Sequence, residues 1–137
     1  MTDEEKKQIF LRTKVIAVVG LSDHSERPSH AVASYLMSEG FVVIPVNPTI
    51  EHVLGQKSYP NLTSIPKNIR IDIIDIFRKS EDVFPHIQEA ILRKDAHSIW
   101  MQEGVIDKKA ASLAKRHGLQ VVMDTCIMKE HKRLLIS

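Results

Sequence analysis

The sequence predicts an α/β domain: a three-layer, doubly wound fold around a five-stranded parallel sheet. Three observations lead there. Five short apolar runs recur along the 137 residues, each nearly continuous, as strands buried on both faces must be. Between them lie stretches with helical periodicity or helix caps, so strands and helices alternate. The first run, Val15-Ile16-Ala17-Val18-Val19, also ends in Gly20-Leu21-Ser22, a strand-to-helix turn of the phosphate-binding kind. Right-handed crossovers in such a fold put ligands outside the carboxyl ends of the strands, where the strand order reverses.

The elements follow in order. Residues 3–12 read as an opening amphipathic helix, with Asp3, Glu4 and Glu5 in the first turn, where the helix dipole favours acids. The first strand is 15–19, and Asp23–Pro28 is a polar loop. Pro28 fits the first position of a helix whose inner face is Val32, Tyr35, Leu36 and Met37, and Gly40 closes it. Residues 41–46 form the second strand. Residues 47–70 carry Pro48, Gly55, Pro60 and Pro66; a short extended piece is expected near 57–59 and one turn near 62–65. The third strand is 71–77. Ser80 is expected to cap a helix running to about Lys94, and Ser98–Met101 to be the fourth strand. Asp107 caps a helix through His117, Gly118 ends it, and 119–123 is the fifth strand. A basic segment, 129–133, reads as helical.

Composition narrows the classes. An apolar content of 43% supports one core, and 137 residues suit one domain, taken as residues 1–137. A net charge of +2 is too balanced for a nucleic-acid surface without a clustered patch. No apolar stretch approaches a membrane span, and the charged start MTDEEKKQIF does not read as a signal peptide. One cysteine, Cys126, excludes an internal disulfide and fits a reducing cytoplasm. No zinc-ligand spacing is present. The seven histidines are scattered and read mostly as solvated.

The strand ends carry the chemistry. Gly20 lets the backbone turn and lets a phosphate come close; Ser22 offers a hydroxyl, and Arg27 a forked charge beside a helix N-terminus. A plain βα turn is the alternative. Replacing Gly20 is expected to weaken binding while the fold survives. After the second strand, a dinucleotide dehydrogenase would carry an acid for the ribose hydroxyls. Here stand Val46, Asn47 and Pro48, which argue against NAD. Phe77 and Arg78 end the third strand and suit adenine stacking plus a phosphate contact, or else core and solvated charge. Gln102, Glu103 and Gly104 follow the fourth. Cys126 is read as a buried thiol, with the cleft as the alternative, and Trp100 as core.

Together VIAVVGLS (15–22), ERPSHAVASYL (26–36), VIPVNP (43–48), DIFRKSEDV (75–83), IWMQEGV (99–105) and VVMDTCIMKEH (121–131) resemble the small stand-alone CoA-binding proteins. Those share a Rossmann-like domain with the CoA-binding part of the succinyl-CoA synthetase α subunit. The resemblance spans about residues 12–134. It implies that CoA, or an acyl-CoA, lies across the carboxyl edge of the sheet. Gly20, Leu21, Ser22 and Arg27 would hold phosphate. Val46, Asn47, Pro48, Phe77 and Arg78 would line the adenosine region, and Gln102, Glu103 and Gly104 the pantetheine side.

CoA bears a 3′-phosphate on its ribose, which makes an acid there unfavourable. The synthetase also uses a phosphorylated histidine on a second domain and a fuller glycine loop, and neither is found in this sequence. The expectation is therefore a cytoplasmic CoA-binding protein, a binding or regulatory module without complete catalytic machinery. The alternative is an enzyme acting on an acyl-CoA or another nucleotide in the same cleft. Protein partners and oligomeric state stay open.

Overall fold

Thr2 starts helix α1 (Asp3–Leu11) with a capping box. Its hydroxyl accepts from the Glu5 amide, and the Glu5 carboxylate accepts from the Thr2 amide, each at 3.1 Å. The computed structural model describes residues 1–136. Strand β1 (Val15–Val19) leads through Gly20 to helix α2 (Pro28–Ser38), with Pro28 in its first turn as expected. Strand β2 (Val42–Val46) follows.

The irregular stretch holds more structure than the sequence suggested. His52–Val53 (β3) and Gln56–Lys57 (β4) form a small antiparallel hairpin, turned by Leu54 and Gly55 at φ of 52° and 74°. Two positive φ values suit the twist of a two-residue hairpin turn. Leu-Gly is not the usual pair for it, so the sequence carries no hairpin signal there. Tyr59 then lies extended beside Val46 as a parallel bridge, which bears out the extended piece at 57–59. The turn at Leu62–Ser64 is also present. Arg93, on a later helix, gathers this segment: its guanidinium donates to the carbonyls of Leu62 (3.1 Å), Ile65 (2.6 Å) and Ile69 (2.8 Å) and to Asp95 (2.8 Å).

Strand β5 (Ile73–Ile76) is followed by a 3₁₀ turn at Ser80–Asp82, and helix α3 spans Phe84–Arg93. Ser80 does not cap that helix. Pro85 fits only the first turn, so the helix starts later. The Ser80 hydroxyl instead accepts from the Ile106 amide (2.9 Å) and donates to the Gly104 carbonyl (3.3 Å). Strand β6 (Ser98–Met101), helix α4 (Lys108–Arg116), strand β7 (Gln120–Val122) and helix α5 (Ile127–Leu135) complete the chain. Asp107 caps α4 through the Ala110 amide, at 2.9 Å.

All pairs in the main sheet are parallel, in the order β2-β1-β5-β6-β7. This is the Rossmann-like α/β fold that the sequence predicts. Side chains alternate between two cores. Ala17, Val19, Ile74, Ile76, Ile99 and Met101 face α3 and α4. Ile16, Val18, Ile73, Trp100 and Val122 face α1, α2 and α5. Trp100 is fully buried and donates its Nε1 proton to the Thr125 carbonyl at 2.8 Å, so it is core. The strand order reverses between β1 and β5, and that is where the site lies.

Candidate functional site

Three strand ends, of β2, β1 and β5, meet around the reversal. The Gly20 amide donates to the Val46 carbonyl, and the Phe77 amide to the Val19 carbonyl, both at 2.8 Å. Above them opens a cleft of about 730 Å³. Gly20, Ser22, Arg27, Asn47, Phe77, Arg78, Gln102 and Glu103 all line it, so eight residues from four separate strand ends face one space. Ser29 and Val32 of α2, and Cys126, Met128 and Lys129 at the start of α5, also line it. Of these the sequence reading singled out only Cys126, as an alternative. The signal that would have found the rest is the second helix start: α5 begins at the carboxyl end of β7, as α2 begins after β1.

Four expected residues sit otherwise. The side chains of Leu21 and Val46 are buried in the two cores, which leaves their backbone as the part near the cleft. Pro48 lines an adjoining cleft with Ile50, His52 and Ser58, which meets the main one at Asn47. Gly104 lies to the side: its amide donates to Asp124 Oδ1 at 2.7 Å.

Local hydrogen bonds shape the cleft. The Ser22 amide donates to Ser29 Oγ at 3.0 Å, drawing the turn onto the first turn of α2. Arg27 is the N-cap of α2 and makes no side-chain cap bond; Cys126 holds the same place on α5. Two helix N-termini, each with positive dipole ends, thus border the same space, which favours an anion. Among the described residues neither Arg27 nor Arg78 makes a salt bridge. Nearby, burial lowers the pKa of His86; Glu89 opposes this, and the Arg78 charge adds to it.

Asn47 explains the absent acid. Its Nδ2 donates to the Leu21 carbonyl at 3.1 Å, and its Oδ1 accepts from the Thr49 amide (2.9 Å) and hydroxyl (2.7 Å). The amide joins the β1 turn to the β2 end and needs both a donor and an acceptor. A carboxylate would set negative oxygen against the Leu21 carbonyl. At the far end, Gln102 is 4% exposed and its Oε1 accepts from the Ile127 amide at 3.1 Å. Glu103 pairs with Lys129 at 3.1 Å in the open, and this bond raises the Lys129 pKa. No group of three or more His, Cys, Asp or Glu side chains that could hold a metal occurs among the described residues.

The domain is thus a Rossmann-like sheet with an anion-favouring cleft at its switch point. The comparisons make this specific: residues 14–132 match the CoA binding domain model, and the chain belongs to that family. It is 42% identical to the uncharacterized protein YneT of Bacillus subtilis strain 168, over 93% of this chain and 92% of that protein. A hypothetical protein from Pyrococcus horikoshii OT3 superposes with a TM-score of 0.94 and 38% identity, covering 98% of this chain and 93% of that one. The 4-hydroxybutyrate–CoA ligase [ADP-forming] of Nitrosopumilus maritimus is 30% identical over 86% of this chain but only 18% of its own length. The chain therefore spans under a fifth of that ligase. The likeness expected to succinyl-CoA synthetase is supported only as far as the broader class of CoA ligases.

Among the described residues no helix is long and apolar enough to cross a membrane.

Proposed function

We propose that residues 1–137 act as a single cytoplasmic binding domain for CoA or an acyl-CoA, held across the carboxyl edge of the sheet. The observation that carries this is the convergence of Gly20, Ser22, Arg27, Asn47, Phe77, Arg78 and Gln102 on one cleft at the strand-order reversal. In this reading the α2 N-terminus and Arg27 meet the pyrophosphate, since free N–H groups and a guanidinium both favour phosphate oxygens. Phe77 offers a face to adenine, and Arg78 a charge to the 3′-phosphate. Pro48 and the cleft beside it border the adenosine. Gln102 and Glu103 flank the pantetheine, with Gly104 beside them. The backbone at Leu21 and Val46 sets the two loops that hold these groups.

Binding, rather than turnover, is the role. Ser22, Arg27 and Arg78 supply the cleft with donors and cations suited to holding phosphates, which supports this reading. A second reading is an enzyme acting on an acyl-CoA or another nucleotide; the positions of Glu103 and Cys126 on the cleft support it. A steady-state rate abolished in Glu103→Gln or Cys126→Ser would establish that second reading.

Thermal unfolding with CoA, NAD and ATP tests the first. At a ligand concentration 100-fold above Kd, linkage supplies ~2.7 kcal/mol, or roughly 5–15 °C of Tm for a domain of this size. A shift from NAD equal to or larger than that from CoA overturns the assignment. Native mass spectrometry of protein purified from cells gives the acyl group, if one is carried.

A further inference from the structure

We infer that Cys126 is a disulfide-exchange site for the thiol end of the ligand, so that the domain can hold CoA covalently as a mixed disulfide. The inference rests on the CoA-binding reading and adds a specific atom to it.

Cys126 is the one cysteine of the chain. It is 6% exposed and lines the main cleft; a second cleft, beside Asp124 and Arg133, also reaches it. Its place along the cleft has a direction. Asn47 ends edge strand β2, and Cys126 follows edge strand β7, at the opposite side of the sheet. Arg27 and Asn47 stand at the β1–β2 end, where the nucleotide is read. A chain anchored there runs its other terminus toward β6 and β7, and the terminus of CoA opposite its nucleotide is the thiol.

Gln102 supplies an independent sign of a ligand at this end. It is nearly fully buried and lines the cleft, and its Oε1 is held by the Ile127 amide at the base of α5. Among the described residues its NH₂ donates to no protein group. The NH₂ of Gln102 opens onto the cleft, where a pantetheine amide carbonyl can accept from it.

The step balances without an added oxidant. Cys126 Sγ, as thiolate, attacks one sulfur of CoA disulfide. A new S–S bond forms to Cys126 and the old one breaks. The released CoA leaves as thiolate with that bond's electron pair and takes a proton from water. One thiol and one disulfide stand on each side.

The test uses intact-mass measurement of the full chain. Incubation with CoA disulfide should add one CoA, less one hydrogen from each partner, and dithiothreitol should remove it. Glutathione disulfide, which lacks the nucleotide, should label at least tenfold more slowly. S-methyl-CoA, which binds but cannot exchange, should protect. Cys126→Ser should keep the S-methyl-CoA thermal shift and lose the adduct. A shift with S-methyl-CoA but no adduct, or equal labelling by the two disulfides, overturns the exchange site and leaves CoA binding standing. No shift with either CoA or S-methyl-CoA overturns both.

Discussion

Gly20 and Phe77 touch backbone to backbone: a Cβ at position 20 would lie 2.2 Å from the Phe77 carbonyl oxygen. Gly20 also holds φ at +86°, a conformation that side chains other than glycine's rarely adopt. The glycine is therefore required by the neighbouring strand end, whatever phosphate comes near. This corrects the expectation that its replacement would spare the fold, because a Cβ must push the Phe77–Arg78 segment away.

Gly20→Ala should lower stability by more than the ~1–3 kcal/mol of backbone strain alone, and should weaken CoA binding in the same variant. Urea unfolding with a CoA titration measures both. Stability within about 0.5 kcal/mol of the parent, the range of an ordinary surface change, would contradict the contact.

Arg27→Ala and Arg78→Ala should each weaken CoA about tenfold to a hundredfold, the worth of a charge-assisted hydrogen bond. Dephospho-CoA separates them. If Arg78 meets the 3′-phosphate, its substitution loses its effect with dephospho-CoA, whereas that of Arg27 keeps it. Calorimetry with both ligands reads this, and unchanged affinity in both variants would refute the placement of the site.

Asp75 lies in the central strand, fully buried, and neither carboxyl oxygen has a hydrogen-bond partner among the described residues. Burial raises its pKa well above the usual value. The folded chain thus binds a proton more tightly than the unfolded one. Between the ordinary value of 3.8 and the raised folded value, stability falls as pH rises. Asp75→Asn, which stays neutral at every pH, should remove this slope and be the more stable form at pH 8. The gap should close as pH falls toward 4. Denaturant midpoints across that range decide it, and parallel curves would rule it out.

His131 gives the opposite slope. Its Nδ1 is 2.6 Å from the Tyr35 hydroxyl, and Phe10, Tyr35 and Phe41 set their rings edge-on around it. Burial lowers its pKa below 6.5, with the Glu39 charge opposing. Its neutral form is favoured on folding, so stability is lost as pH falls from 6.5 through the lowered folded value. His131→Gln keeps an acceptor for Tyr35 and cannot titrate. Its Tm should fall less between pH 7 and pH 5 than the parent's, by a few degrees. Equal losses would place the acid sensitivity elsewhere, with His86 and His97 next in line, since burial lowers both.

The reach of the sequence follows from what its patterns encode. Continuous apolar runs such as Val15–Val19 report burial on both faces, and Pro28, Gly40 and Asp107 act on their own backbone within a few residues. These local causes made the parallel sheet, its helices and the strand-end loops legible, and with them the residues that come to line the cleft. What depends on distant partners was not. Asp75 sits in an apolar run and gives no sign that its carboxyl is left unpaired. His131 looks like one more basic residue of a C-terminal helix until Phe10, Tyr35 and Phe41 surround it. Ser80 caps nothing, because the backbone of Gly104 and Ile106 takes its hydroxyl. The role of Asn47 as a clip, and of Gly20 as the place where two strand ends fit, exist only once β1 lies between β2 and β5. The sequence by itself determined which segments become strands and helices, because those choices are made by neighbours in the chain. Tertiary structure alone decided which side chains are left unpaired, share a proton or fit against a distant backbone, because those are made by neighbours in space.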